Sequence, residues 1–221
     1  MIPKIIHYFW AGDINRHADF HAHWRELHPG WIIHRWDDTN IVADNQYLKN
    51  AIGAKNWAKV SDYVRLWALR EFGGIYLDAD VELLKPLDDL LWFACFCGFQ
   101  SPDPVRMLNS AVIGSEQGHG LPTILCSILK NKYTGLERDD STGPGIITEY
   151  LSPFLIGADI NSRRGSFEVN CMVLAKNEFY PYAWNEKFTP VCIKPETIGV
   201  HHWDLSWWSG PMQRVNPFKL T

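Results

Sequence analysis

No stretch of this chain offers the about 18 uninterrupted apolar residues that a membrane span requires. The start, Met1-Ile2-Pro3-Lys4, has no apolar core of a secretion signal either. The sequence therefore predicts a cytoplasmic protein, at most peripheral at the inner face of a membrane; a short C-terminal run with Arg214 and Lys219 is the segment that would touch it. Positive charge is not in excess: 21 Lys and Arg face 25 Asp and Glu, a net charge of -4, which excludes a general polyanion-binding surface and argues against a nucleic-acid partner. Cysteine is scarce and odd in number, five in all, and lies mostly in apolar runs, so reduced core thiols are expected instead of a disulfide framework. Cys95 and Cys97 stand too close for a zinc pair. There is no internal repeat and no low-complexity linker.

What is present is a globular composition, 46% hydrophobic and 21% charged, over 221 residues. A chain of that length buries roughly 70% of its unfolded surface and suits one α/β domain spanning residues 1–221. Eleven Trp is an unusually high number. Indole faces fill cores, and they also serve as platforms for sugars and nucleotide bases.

The apolar run Ile5–Trp10 reads as a buried first strand opening into a loop, followed by a helix over residues 18–27 that His28-Pro29-Gly30 stops. Residues 31–36 read as a second strand. Two strand–helix units so early point to a central, mostly parallel sheet flanked by helices, a Rossmann-like arrangement. Residues 57–72 form the clearest helix, ended by Gly73-Gly74. Farther on, residues 94–99 and 111–114 read as strands and 121–130 as a helix, whereas 154–184 gives no assignable pattern.

After Gly73-Gly74, Ile75-Tyr76-Leu77 is a β-prone run that delivers Asp78 and Asp80 at its end. Side chains two apart on an extended segment share a side, so the two carboxylates are expected to converge on one ion, with magnesium or manganese the suitable hard cation. On a helical wheel residues 57–72 are apolar almost all round, with Lys59 and Arg70 in the one broad polar sector. Asp62 and Arg65 fall together on another face as a partly buried pair. Such a pair carries a desolvation cost that a polar ligand can offset. A helix, a tight turn and an antiparallel return bring the Asp62 end of the helix to the far end of the strand. Two acids and an arginine would then surround a site for a metal-bound diphosphate.

With those residues assembled, the chain resembles the glycosyltransferases of family 32, the sugar-binding-region group containing an Asp-x-Asp motif, and among them the small bacterial capsule and exopolysaccharide members. The matching text includes Ile2-Pro3-Lys4-Ile5-Ile6-His7-Tyr8-Phe9-Trp10, Ser61-Asp62-Tyr63-Val64-Arg65, Gly73 to Asp80, Asn109, Thr142-Gly143-Pro144 and His201 to Trp207. The resemblance implies a GT-A fold, a nucleotide-sugar donor, Mn2+ or Mg2+ dependence, retention of anomeric configuration, and a glycan or lipid-linked oligosaccharide acceptor. It also leans to UDP-galactose or a UDP-hexosamine as donor. Residues up to about 100 would bind the nucleotide, and the rest would serve the acceptor and a closing C-terminal segment.

A more distant likeness to the clostridial glucosylating toxins implies roles. Trp10 stacks on the base, Asp62 and Arg65 hold the sugar's hydroxyls, Asp78 reaches the ribose and sugar, Asp80 ligates the metal, and Asn109 lies near the reacting sugar. His7, Tyr76, Ser206 and Trp207 complete the donor-site candidates, and His201, ahead of His202, is the third metal ligand beside Asp78 and Asp80. From the residues alone, His7 reads more readily as a satisfied core histidine than as a catalytic base, Trp10 has a plain core side chain as its alternative, and the His pair reads equally as a packed terminal cap. Retention needs a nucleophile, with Asp62, Asn109 and Asp204 as candidates, or a front-face reaction, which is preferred because none of them stands out.

Two other classes compete. A haloacid dehalogenase-type phosphatase also places Asp-x-Asp after an apolar strand, but Glu82 stands where that family has Thr or Val, and its motif belongs on the first strand. A non-catalytic carbohydrate-binding protein would account for the Trp content but not for a buried Asp62 and Arg65 aimed at a metal site.

Overall fold

In the first unit, β1 (Ile5–Phe9) leads through α1 (Ala18–Leu27) to β2 (Ile32–Trp36), which pairs with β1 in parallel, His7 opposite His34. The computed structural model describes residues 1–13, 16–105, 107–138, 140–166 and 168–204. Two helices follow, α2 (Gln46–Gly53), capped by the Asn45 side chain on the Leu48 amide, and α3 (Trp57–Phe72). The chain then enters β3 (Gly74–Leu77) and, after a short turn, β4 (Val81–Leu83).

Gly73 and Gly74 make this entry possible. Both have positive φ, 64° and 106°, and a Cβ on Gly74 would lie 2.7 Å from the Ile5 carbonyl oxygen. Only glycine allows β3 to slot against β1 at that approach.

The second half adds β5 (Cys95–Phe99), β6 (Leu108–Ser115), α4 (Gly120–Lys132), a π-helical turn at Ser141–Gly145, and α5 (Ile146–Leu151). Last come β7 (Arg164–Ser166), β8 (Cys171–Leu174), α6 (Lys176–Phe179) and β9 (Gly199–His201). The seven-stranded sheet has the order β2-β1-β3-β6-β5-β8-β7. Strands β2, β1, β3, β5 and β8 run one way, and β6 and β7 run against them.

Alternating side chains divide the core into two layers. Tyr76, Cys97, Phe99 and Ile113 join α2, α3, α4 and α5 on one face. Ile75, Leu77, Phe96 and Val112 join α1, α6 and the small β4–β9 sheet on the other. The helix at 57–72 and the strands at 94–99 and 111–114 stand where the sequence places them. Residues 154–184, unassigned from sequence, supply β7, β8 and α6. The five cysteines are free, and all but Cys192 are buried.

Candidate active site

The parallel strands β1, β3 and β5 end on the same edge of the sheet, and β6 begins there. Ligands of open α/β sheets bind at the carboxyl ends of strands. Counting on from the His7–Tyr76 pair sets Trp10, beyond β1, level with the turn that follows β3. Gly98 pairs with Asn109, so Gln100 and Asn109 meet at the same edge. A cavity of about 630 Å³ opens there, lined by Trp10, Asp62, Arg65, Asp78, Asp80 and Asn109 among others.

Asp78 and Asp80 do not share a strand. Strand β3 ends at Leu77, and the two acids lie in a turn closed by the Val81 amide on the Asp78 carbonyl at 3.0 Å. Their convergence therefore comes from turn geometry and not from the two-residue repeat of extended chain. That turn feeds β4 directly, and β9 pairs with β4 so that His201 faces Val81. His201 Nε2 consequently lies 3.3 Å from Asp80 Oδ1 and 3.9 Å from Asp78 Oδ2. Ligand atoms of the three residues all fall within 4.8 Å of one another.

Two carboxylates and an imidazole form a donor set that can hold a divalent metal ion. His201 Nε2, turned to the two carboxylates, is the nitrogen that would meet an ion, while Nδ1 is buried without a hydrogen-bond partner and the ring packs on Tyr180 and Trp203. His202 turns the other way, with Nε2 2.8 Å from Glu82 and its ring stacked on Phe20. Burial would raise the Asp80 carboxyl, but His201, the Asp204 amide and His17 outweigh it and hold Asp80 well below the usual carboxylate range. Asp78 moves upward, because burial exceeds the help from Arg65 and His201.

Arg65 links this cluster to α3. Its Nη2 lies 3.3 Å from Asp62 Oδ1 and 3.2 Å from Asp78 Oδ1, and its Nη1 donates to Ser110 at 2.8 Å. The guanidinium also packs over the Tyr76 ring, 4.9 Å from its centroid. Burial opposes its charge, but Asp78, Tyr76 and Asp62 raise its pKa beyond the ordinary arginine value.

Three sequence expectations change. Lys59 does not face solvent: it is 3% exposed, with Nζ 3.6 Å from Asp62 Oδ2. His7 lies outside the cavity, a core histidine with Nε2 2.9 Å from the Gly73 carbonyl oxygen and Nδ1 accepting from Trp36 Nε1. Tyr76, fully buried, sits one layer behind, its hydroxyl 2.8 Å from Ser61 Oγ. It supports Ser61 and Arg65 and does not reach the cavity. Ser206 and Trp207, like Arg214 and Lys219, lie outside the described residues.

Trp10 does line the cavity, its indole N–H donating to the Asp13 carbonyl at 2.8 Å and the Arg16 guanidinium 5.6 Å above its ring. Asn109 lines it too, but its amide is committed: Nδ2 donates to Gln100 Oε1 and Oδ1 accepts from the Ala111 amide, both at 2.6 Å. Asp204 accepts from Arg16 and lies 2.9 Å from His17 Nε2. Sequence reasoning missed Arg16, His17, Lys59 and Gln100. The first two sit in an aperiodic loop, and the others read as ordinary surface polar residues. His17 and Trp203, both at the cavity, hold φ of 61° and 55°, a left-handed backbone typical of functional sites.

Solved structures with this architecture include the PaToxG glycosyltransferase (TM-score 0.58, 16% identity, 72% of each chain). Another is a glycosyltransferase involved in the glycosylation of the major capsid of PBCV-1 (TM-score 0.53, 12% identity, 89% of this chain and 92% of that one). The fold is thus GT-A, a mixed sheet between helical layers. Residues 15–97 match the family described as glycosyltransferase sugar-binding region containing DXD motif. An uncharacterized glycosyltransferase of Acanthamoeba polyphaga mimivirus is 29% identical over 68% of this chain and 66% of its own length. Inositol phosphoceramide mannosyltransferase 3 of Schizosaccharomyces pombe is 30% identical over 53% of this chain and 34% of its own. The chain thus spans less than two thirds of the length of these relatives.

Proposed function

We propose that the protein is a metal-dependent, retaining glycosyltransferase that moves a hexose or N-acetylhexosamine from a nucleotide sugar to a glycan acceptor. The observation that carries this reading is the juxtaposition of the Asp78, Asp80 and His201 cluster with the Arg65–Asp62 pair in one cavity beneath Trp10. Asp78, Asp80 and His201 would hold Mn2+ or Mg2+, which when bound supplies Lewis-acid stabilisation of the departing diphosphate. Trp10 offers a face to the base, and Asp62 with Arg65 receives the sugar hydroxyls. Residues up to about 100 would serve the nucleotide and the remainder the acceptor.

In the transfer, the acceptor oxygen bonds to the anomeric carbon as the bond from that carbon to the diphosphate oxygen breaks on the same face. The bonding electrons leave with the nucleoside diphosphate, which also takes the acceptor's proton. The commitments of the nucleophile candidates favour this route over a covalent intermediate: Asn109 has both amide atoms bonded within the protein, Asp204 is held by Arg16 and His17, and the Asp62 carboxylate is shared among Thr142, Lys59 and Arg65.

The likeness to capsule enzymes leans to UDP-galactose as donor and a lipid-linked glycan as acceptor, in bacterial surface polysaccharide synthesis. The likeness to the inositol phosphoceramide mannosyltransferase of Schizosaccharomyces pombe favours mannose and an inositol phosphoceramide instead. A hydrolysis screen of UDP- and GDP-linked sugars with manganese decides between them. Release of nucleoside diphosphate from one donor, abolished in Asp80→Ala, is expected; phosphomonoester hydrolysis with no turnover of any nucleotide sugar overturns the reading.

A further inference from the structure

The Thr142-Gly143-Pro144 segment has no role in the reaction as described above, yet it forms the wall against Asp62. Its π-helical turn, Ser141–Gly145, leads directly into α5. Turns of π-helix are rare and frequently stand at functional sites. Here the turn does two things to one carboxylate. The Thr142 hydroxyl, 1% exposed as a residue, donates to Asp62 Oδ2 at 2.7 Å, on the oxygen that Lys59 also approaches. Gly143 lies against the other oxygen: a Cβ built there would be 2.7 Å from Asp62 Oδ1 and 3.3 Å from its carboxyl carbon.

We propose that Thr142 and Gly143 are positioning residues for sugar recognition. Thr142 with Lys59 locks Oδ2 inward, and the bare Gly143 leaves Oδ1, which Arg65 Nη2 approaches at 3.3 Å, a remaining lone pair to accept a hydroxyl of the donor sugar. This rests on the reading of the cavity as a nucleotide-sugar site. A carboxylate so fixed presents one lone-pair direction, and a hydrogen bond to a charged acceptor discriminates strongly only when the acceptor cannot rotate to satisfy itself elsewhere. Any side chain at 143 would push the carboxylate from that position, since the nearest atom is the carboxylate itself.

The consequence is a separation of two affinities. The base and diphosphate meet Trp10 and the metal cluster, whereas the sugar alone meets Asp62. Thr142→Val, close in volume, should leave manganese-dependent binding of bare UDP intact while reducing the preference for UDP-galactose over UDP by about tenfold to a hundredfold. GDP and GDP-mannose form a second probe pair. Thr142→Ser, which keeps the hydroxyl, should recover most of the lost preference. Gly143→Ala should lower it as well.

Titration calorimetry of the wild type, Thr142→Val and Thr142→Ser with both probe pairs reads this out, alongside thermal unfolding. A role confined to stability would lower the melting temperature of Thr142→Val without changing the ratio of sugar-linked to bare nucleotide affinity, and that outcome overturns the proposal. Equal loss of preference in Thr142→Ser and Thr142→Val overturns it too. Failure of the wild type to bind either nucleotide overturns the nucleotide-sugar reading itself, which normal binding with an unchanged ratio would leave standing.

Discussion

His201 Nε2 stands 3.3 Å from Asp80 Oδ1 because β9 pairs with β4, the strand that begins immediately after the Asp-x-Asp turn. The small sheet is a clamp: it sets the spacing of an imidazole and two carboxylates drawn from distant segments of the chain.

Metal binding should follow that clamp. Manganese is expected to raise the melting temperature of the wild type, and neither Asp80→Ala nor His201→Ala should show the rise, since each removes one of the ligands in the cluster. His202→Ala, whose ring faces Glu82 and Phe20, should retain it. A full manganese shift in His201→Ala would remove that residue from the site.

Removing Arg65 should expose the cost of unpaired acids. Arg65→Met leaves Asp62 and Asp78 without their shared partner and should cost about 3–5 kcal/mol of stability in urea unfolding. Adding Asp78→Asn should restore part of that loss, because one stranded charge is then gone. Strictly additive losses would show that the 3.2 Å Arg65–Asp78 contact carries no coupling.

Trp10→Ala should weaken nucleoside diphosphate binding by about 1–3 kcal/mol, a stacking contribution, with Trp10→Phe intermediate. Fluorescence titration with UDP measures it. Unaltered affinity would confine Trp10 to packing.

Acid sensitivity should come first from the core, not from the site. Burial pushes His7 and His21 each down to about 4. Above about pH 6.5 both are neutral in the folded and unfolded chain, and stability is complete. As pH falls from there toward 4, the unfolded chain takes up protons that the folded chain refuses, so stability drops, by up to about 3 kcal/mol for His7 and by less for His21, which solvent screens more. Urea midpoints that stay flat between about pH 7 and 5 would contradict this.

Legibility in the sequence tracked locality. The helix at 57–72 follows from its own apolar pattern and the Gly-Gly stop, and the Asp62–Arg65 pairing from their spacing on it. The direction of Lys59 did not, because a lysine on an apolar helix faces water unless a distant segment buries it, and here Tyr47 of α2 and the Thr142 turn pack at that end of the helix. His7 entered the donor-site candidates through the family resemblance, whereas its own place in an apolar strand already suited the core, where Gly73 and Trp36 use both its nitrogens.

The sequence by itself determined the strand, the glycine pair, the two acids and the helix that returns toward them, since each depends on neighbours within a few turns of chain. Tertiary structure decided the rest. It made the Asp78–Asp80 pair a turn instead of a strand face, brought His201 across from Val81, and pressed Thr142 and Gly143 onto Asp62. These contacts join segments far apart in the chain, and their closure is set by sheet order and packing, which no local pattern encodes.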